Sequence, residues 1–159
     1  MQLKITPLSV IVTLAAVVLV GAVGSHFSML NRDWYELLNK PSWQPPDWAF
    51  GVAWTTIFIL SAISIILVWN TRPQTDTTYW FIGMFVVNGV LNILWSALFF
   101  GNRMVQPAVW DAGLLFLSVV LLIMMAWQIS RIAALLLIPY ALWTAFATIL
   151  TQSIYTLNH

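Results

Sequence analysis

Charge is nearly missing from this chain. Of its 159 residues, 6 are Lys or Arg and 5 are Asp or Glu, 7% in all, where a soluble domain carries about 25%. A soluble globule is thereby excluded, and a mean hydropathy of +0.89 agrees. The net charge of +1 leaves no basic footprint for nucleic acid. The absence of cysteine excludes disulfides and thiolate metal sites. Only His26 and His159 offer imidazole, at the ends of the first and last apolar runs, and no Glu, Asp and His set has metal-binding spacing. A Ser/His/Asp set and a phosphate-cradling glycine loop are missing too, as are the intramembrane titratable groups usual in a proton- or ion-driven transporter. Conventional acid/base catalysis is not expected.

What is present is apolar length. Positions 5–31, 48–71, 77–102, 112–130 and 132–159 hold no Asp, Glu, Lys or Arg, and about 20 helical residues cross a hydrocarbon core. Lipid admits only helices or closed barrels, and continuous apolar runs lack the alternation of barrel strands. An all-α integral membrane protein is expected, with transmembrane helices near 7–28, 49–69, 78–100, 106–127 and 132–156 in one bundle. The chain 1–159 reads as one domain whose first interhelical loop covers about 29–47, and short later connections predict sequential helices as antiparallel neighbours. Lys4 and "GAVGS" imitate a signal peptide, but the apolar run exceeds the usual h-region, so the first helix is expected to remain. Lys4, Arg72 and Arg131 fall on one side of the membrane and Arg32, Lys40 and Arg103 on the other, so the positive-inside count ties.

Five of the 11 charged residues gather in one stretch, "NRDWYELLNKPSWQPPDW". Trp34, Leu37 and Leu38 have helical spacing, which predicts a short amphipathic helix on the interface. Pro41 disfavours helix at Lys40, and "PSWQPP" should run on extended and stiff. A stiff loop loses little entropy when something binds beneath it. Trp43, Trp69 and Trp80 read as interfacial belt residues.

Inside the spans, Asn88, Asn92, Trp95 and Phe99 share one helical stripe. Asn88 is expected to bond between helices, and Asn92 either to do so or to line a cavity. Asp111 follows Pro107 near the start of the fourth helix, where a helix-start or interhelical role is expected. In "IPYALWTAFATILT", Pro139 predicts a kink, and Tyr140, Thr144, Ala147 or Thr148, and Thr151 form a small, mildly polar stripe beside Trp143. Gly21 with Ser25, and Ala108 with Ala112, have small-xxx-small spacing compatible with dimerisation. An aromatic-lined apolar cavity with a few hydrogen-bonding groups suits a flat hydrophobic ligand.

These segments resemble the TspO/MBR family of tryptophan-rich sensory and translocator (peripheral-type benzodiazepine receptor) proteins. The likeness lies in "WYELLNKPSWQPPDW" with Trp54, "VGSHF" at 23–27, "LNILWSALFFGNRM" at 91–104, "WD" at 110–111 and "PYALWTAFATIL" at 139–150. It implies a five-helix bundle, often dimeric, in a bacterial cell or organelle membrane, with a pocket under the first loop. It further implies binding of porphyrins and haem, sterols, and benzodiazepine or isoquinoline carboxamide ligands, in tetrapyrrole transport or stress signalling. No obligatory cofactor is implied; porphyrin or haem is the ligand. Carried over by motif, Tyr35, Pro45, Trp54, Asn92, Trp95, Trp143, Ala147 and Leu150 fall where the family contacts ligand. Light- and oxygen-dependent degradation of protoporphyrin is the alternative, with Trp54 and Trp143 as the candidate reactive residues. The family's proposed sterol motif is incomplete here, because Leu150 and Tyr155 are followed by His159 instead of a cation.

Overall fold

Thr6 stands before Pro7, and this pair starts the first helix: the Thr6 hydroxyl accepts from the Ser9 amide at 3.4 Å, and proline needs no partner for an N–H it lacks. In the computed structural model, which describes residues 2–159, α1 runs Pro7–Leu30, α2 Arg32–Leu37 and α3 Asp47–Asn70. Helix α4 runs Asp76–Ser96 and continues as a π-helical turn, Ala97–Gly101; α5 runs Val105–Ile129, α6 Arg131–Leu136 and α7 Ile138–Asn158. Five segments are long and apolar enough to span a membrane, α6 and α7 together forming the last. The break between these two falls at Leu137, just before Pro139, as the sequence predicts. A two-residue antiparallel pairing, Gln2–Leu3 with Thr71–Arg72, ties the N-terminus to the α3–α4 connection.

Sequential packing does not hold throughout. Helix α5 packs against both α4 and α7, but α3 and α4 barely touch, because α1 lies between them. Small residues permit this insertion. A Cβ on Gly21 would stand 3.2 Å from the Phe58 ring of α3, one on Gly24 3.4 Å from Ser96 Oγ of α4, and one on Gly89 of α4 3.2 Å from Val20. Backbones that approach this closely gain van der Waals contact, which drives helix association in lipid.

The small pairs differ in their placement. Ala108 and Ala112 are buried inside the bundle and form no outer face, whereas Gly21 and the exposed Ser25 border a cavity between the helices. The outward surface is instead large and apolar, with Leu8, Ile11, Val18 and Leu19 of α1 all exposed, as a lipid solvent allows. One apolar cluster, around Phe81, Leu122, Ala126 and Leu137, closes the end of the bundle near the α5–α6 junction, where Ser64 Oγ donates to the Ala133 carbonyl at 2.9 Å. A second, around Phe99, Val105, Leu150 and Ile154, supports the opposite end beneath the first loop.

That loop is fastened at three points. The Asn31 amide donates to the Phe100 and Gly101 carbonyls at 2.6 and 3.1 Å, groups that the π-helical end leaves free. Arg103, held at φ 58, donates in turn to Asn31 Oδ1. Asn158 clamps Asn39, accepting from its amide and donating to its carbonyl, both at 2.9 Å. Helix α2 is shorter than expected, because the chain turns extended at Leu38. Trp34 and Leu38 pack inward, whereas Leu37 is 85% exposed, so the expected Trp34–Leu37–Leu38 apolar face is replaced by one without Leu37. Of the three belt tryptophans, Trp80 and Trp43 are exposed, whereas Trp69 packs against the Phe81 cluster.

Candidate functional site: an aromatic cavity beneath the first loop

A cavity of about 320 Å³ opens under α2 and runs down between α1, α3, α4, α5 and α7. This lies within the roughly 300–1,000 Å³ usual for small-molecule sites. Its walls are rings. Trp95 stacks on Phe99 with centroids 5.3 Å apart and planes at 13°, Trp143 meets Phe50 edge-on at 5.6 Å, and Trp54 lies 5.6 Å from Phe58. Each ring is held by a neighbour on its own helix or across a helix pair, so the walls are preformed.

Of the residues expected to contact ligand, Tyr35, Trp54, Asn92, Trp95, Trp143, Ala147 and Leu150 border this one cavity; Pro45 does not. Phe50, Phe58, Phe99 and Thr144 also line it; sequence reasoning set Phe99 and Thr144 on helical stripes without counting them as ligand contacts, and did not select Phe50 or Phe58. The spacing of Trp95 and Phe99 along one helical stripe was a signal for Phe99. Phe50 and Phe58 stand one helical turn to either side of Trp54, a signal available only once that helix face was known.

Polar groups deeper in the bundle are bonded to one another. Tyr140 Oη donates to Asn88 Oδ1 at 3.0 Å and accepts from Asn92 Nδ2 at 3.2 Å, while Asn88 Nδ2 donates to Ser118 Oγ at 2.8 Å. This network joins α4, α5 and α7. Asn88 is thus an interhelical bond, and Asn92 both bonds Tyr140 and borders the cavity. The threonine stripe is self-satisfied: Thr144, Thr148 and Thr151 each donate to the carbonyl four residues back, at 2.9, 2.8 and 2.7 Å.

Two cavity-wall groups are not satisfied. The indole N–H groups of Trp95 and Trp143 are buried without an acceptor, a cost of about 1–3 kcal/mol each. At the mouth, Arg32 pairs with Glu36 at 3.1 Å and Asp47 at 3.7 Å, and Lys40 lies 4.0 Å over the Tyr35 ring. Burial, with a smaller contribution from the Asp47 carboxylate, raises the Tyr35 phenol above its ordinary pKa of 10.0, so it remains an O–H donor near neutrality. No cluster of three potential metal-binding side chains occurs among the described residues.

Asp111 departs from expectation. It is 4% exposed, lies in the second turn of α5, and neither carboxyl oxygen has a hydrogen-bond partner. It therefore neither caps the helix start nor bridges helices; the neighbouring α4 presents leucines to it.

The chain that encloses this indole-walled hollow matches one family model from residue 11 to residue 157 of its sequence, that of the TspO/MBR family. The chain belongs to the TspO/MBR family. It is 38% identical over 136 residues to the tryptophan-rich protein TspO of Bacillus cereus, covering 86% of this chain and 88% of that one. It is 36% identical over 128 residues to the translocator protein of Homo sapiens, covering 79% and 75%. The tryptophan-rich sensory protein of Cereibacter sphaeroides is 30% identical over 139 residues, covering 87% and 85%. Membership in the TspO/MBR family, together with the five spans, makes this a multi-pass integral membrane protein of receptor or transport type.

Proposed function

We propose that the cavity takes a planar tetrapyrrole, a porphyrin or haem, from the membrane or through the loop mouth, and that the protein carries it or reports its presence. The observation that carries this reading is that Trp95 and Trp143, whose buried indole N–H groups lack partners, border the same cavity as Tyr35, Trp54 and Asn92. An empty apolar site would gain by having neither. A flat ligand with acceptor atoms gives those donors partners and stacks against the rings, worth about 0.5–1.5 kcal/mol beyond area burial. The cavity lining includes no His, Cys or Met, so recognition rests on the ring itself. Sterols and benzodiazepine or isoquinoline carboxamide ligands fit the same apolar space with fewer matched donors. A homodimer is part of this reading, formed through a face other than the buried Ala108–Ala112 pair.

A second reading has its own support: Trp54 and Trp143 both border the cavity, so a bound pigment excited by light would generate its oxidant within reach of oxidisable indoles. One titration addresses both. Trp143→Phe keeps an aromatic ring and removes the N–H, so protoporphyrin affinity read by fluorescence quenching should fall about fivefold, the net worth of one hydrogen bond. Unchanged affinity would refute the proposed role of the indole N–H. Illumination of the wild-type complex in air should then bleach the pigment faster than detergent alone if the second reading holds, and no faster if it does not.

A further inference from the structure

The cavity is polarised from end to end. Among the described residues that line it only Arg32 and Asp47 carry charge, and both stand at the mouth, Arg32 at the start of α2 and Asp47 at the start of α3. The rest of the lining is uncharged. A ligand that fills this space is therefore apolar at its deep edge and carries any charge at the edge nearest the loop, where water is within reach.

The two mouth charges are not equally committed. Arg32 Nε donates to Glu36 at 3.1 Å, but its Nη2 stands 3.7 Å from Asp47 Oδ2, beyond hydrogen-bond length. The outer fork of the guanidinium thus has no hydrogen-bond acceptor among the described residues, and the Arg32 and Asp47 side chains are each 66% exposed. Asp47 has a second source of stabilisation, since it lies in the first turn of a 24-residue helix, an end that favours negative charge. Arg32 begins α2, an end at which a cation gains nothing.

We infer that Arg32 and Asp47 form a charge filter at the mouth, selecting flat ligands that carry a carboxylate at one edge: the ligand acid takes the Arg32 fork, and Asp47 is the internal competitor it displaces. This rests on the proposed tetrapyrrole occupancy and adds to it discrimination between an acid and its neutral ester. A carboxylate fits a guanidinium through two parallel N–H···O bonds, a closer match than the separation Asp47 attains. The displaced Asp47 turns to water and keeps its place at the helix end. Glu36 lies outside the cavity lining, so the incoming acid does not meet it there. An amine-bearing ligand lacks this balance, because its ammonium reaches Asp47 only by standing beside the guanidinium, where like charges repel.

Protoporphyrin and its dimethyl ester test this, each titrated by tryptophan quenching against the whole protein in detergent. Variants are compared within one ligand, so partition into micelles cancels. Arg32→Gln should weaken binding of the acid about two- to fivefold, the range of an exposed ion pair, and leave the ester unchanged. Asp47→Asn should tighten the acid by a similar factor, again without effect on the ester, and this variant decides the matter if Arg32→Gln fails to fold. Salt raised from about 0.01 to about 1 M, which shortens the screening length from roughly 30 to 3 Å, should shrink both effects. Equal losses for acid and ester in Arg32→Gln would overturn the inference in favour of a residue that only shapes the mouth. Weaker acid binding in Asp47→Asn would overturn it in favour of a latch that closes over the ligand. If acid and ester both quench the wild type and neither substitution moves them, the tetrapyrrole reading stands and the filter is removed. If neither ligand quenches the wild type, the reading falls and the filter with it.

Discussion

Removing one oxygen atom from the centre of the bundle should be felt by three helices. Tyr140 Oη donates to Asn88 at 3.0 Å and accepts from Asn92 at 3.2 Å, and the residue is 3% exposed, so Tyr140→Phe leaves two buried amides each short of a partner. Hydrogen bonds between membrane helices average about 0.6 kcal/mol and reach about 1.7. Two such bonds predict a loss of about 1–3 kcal/mol, the upper end applying if Asn88 Oδ1 finds no new donor and Asn92 Nδ2 no new acceptor. For a chain of this size each kcal/mol moves the midpoint by roughly 2–4 °C, which predicts a fall of about 2–12 °C. Thermal unfolding in detergent followed by circular dichroism reads this directly. Asn88→Ala should lower the midpoint too, and the double variant should lose less than the two singles added, because they share a bond. Additive losses, or a Tyr140→Phe midpoint indistinguishable from wild type, would refute the claim that this network holds α4 to α7.

Other expectations follow from single contacts. A Cβ on Gly101 would lie 2.9 Å from Phe27 Cδ1, whereas one on Gly113 meets nothing within 4 Å. Gly101→Ala should therefore destabilise by about 1–3 kcal/mol, and Gly113→Ala should stabilise by about 0.5–1 kcal/mol, both read from thermal midpoints. Asn158→Ala removes the reciprocal clamp on Asn39; porphyrin should dissociate severalfold faster in stopped-flow quenching while helix content stays constant, and an unchanged rate would show that the loop does not gate release. The raised Tyr35 pKa means that the folded protein holds this proton after the unfolded chain has lost it, so Tyr35 adds stability below pH 10.0 that is lost as pH rises through the folded value. Tyr35→Phe should flatten the alkaline limb of the stability curve and leave its neutral part in place.

Which features were readable beforehand depended on how strongly lipid constrains them. Helix α1 was expected at 7–28 and runs Pro7–Leu30, and the fourth span was expected at 106–127 and runs Val105–Ile129. Motif resemblance carried the cavity residues, because Trp54, Trp95 and Trp143 stand in recognisable strings. Pro45 shows its limit: a loop proline shared with a motif need not face the hollow beneath it. Asp111 shows another, since proximity to a helix start suggests a cap, yet its carboxyl is buried in the second turn without a hydrogen-bond partner.

The sequence alone determined the number, length and approximate ends of the spanning helices, since hydrocarbon forces each backbone to satisfy its hydrogen bonds within its own segment. It also determined the stiff loop, through its prolines, and the break at Leu137. Only the tertiary structure decided that α1 is inserted between α3 and α4, that Gly21 and Ala112 face inward, and that the N–H groups of Trp95 and Trp143 are left without partners. A helix that is apolar on every side carries no record of which face will be covered. In lipid, where burial gives no preference between leucine and solvent, that choice falls to shape: glycines that admit a neighbour, rings that leave a hollow, and the few amides that must find one another.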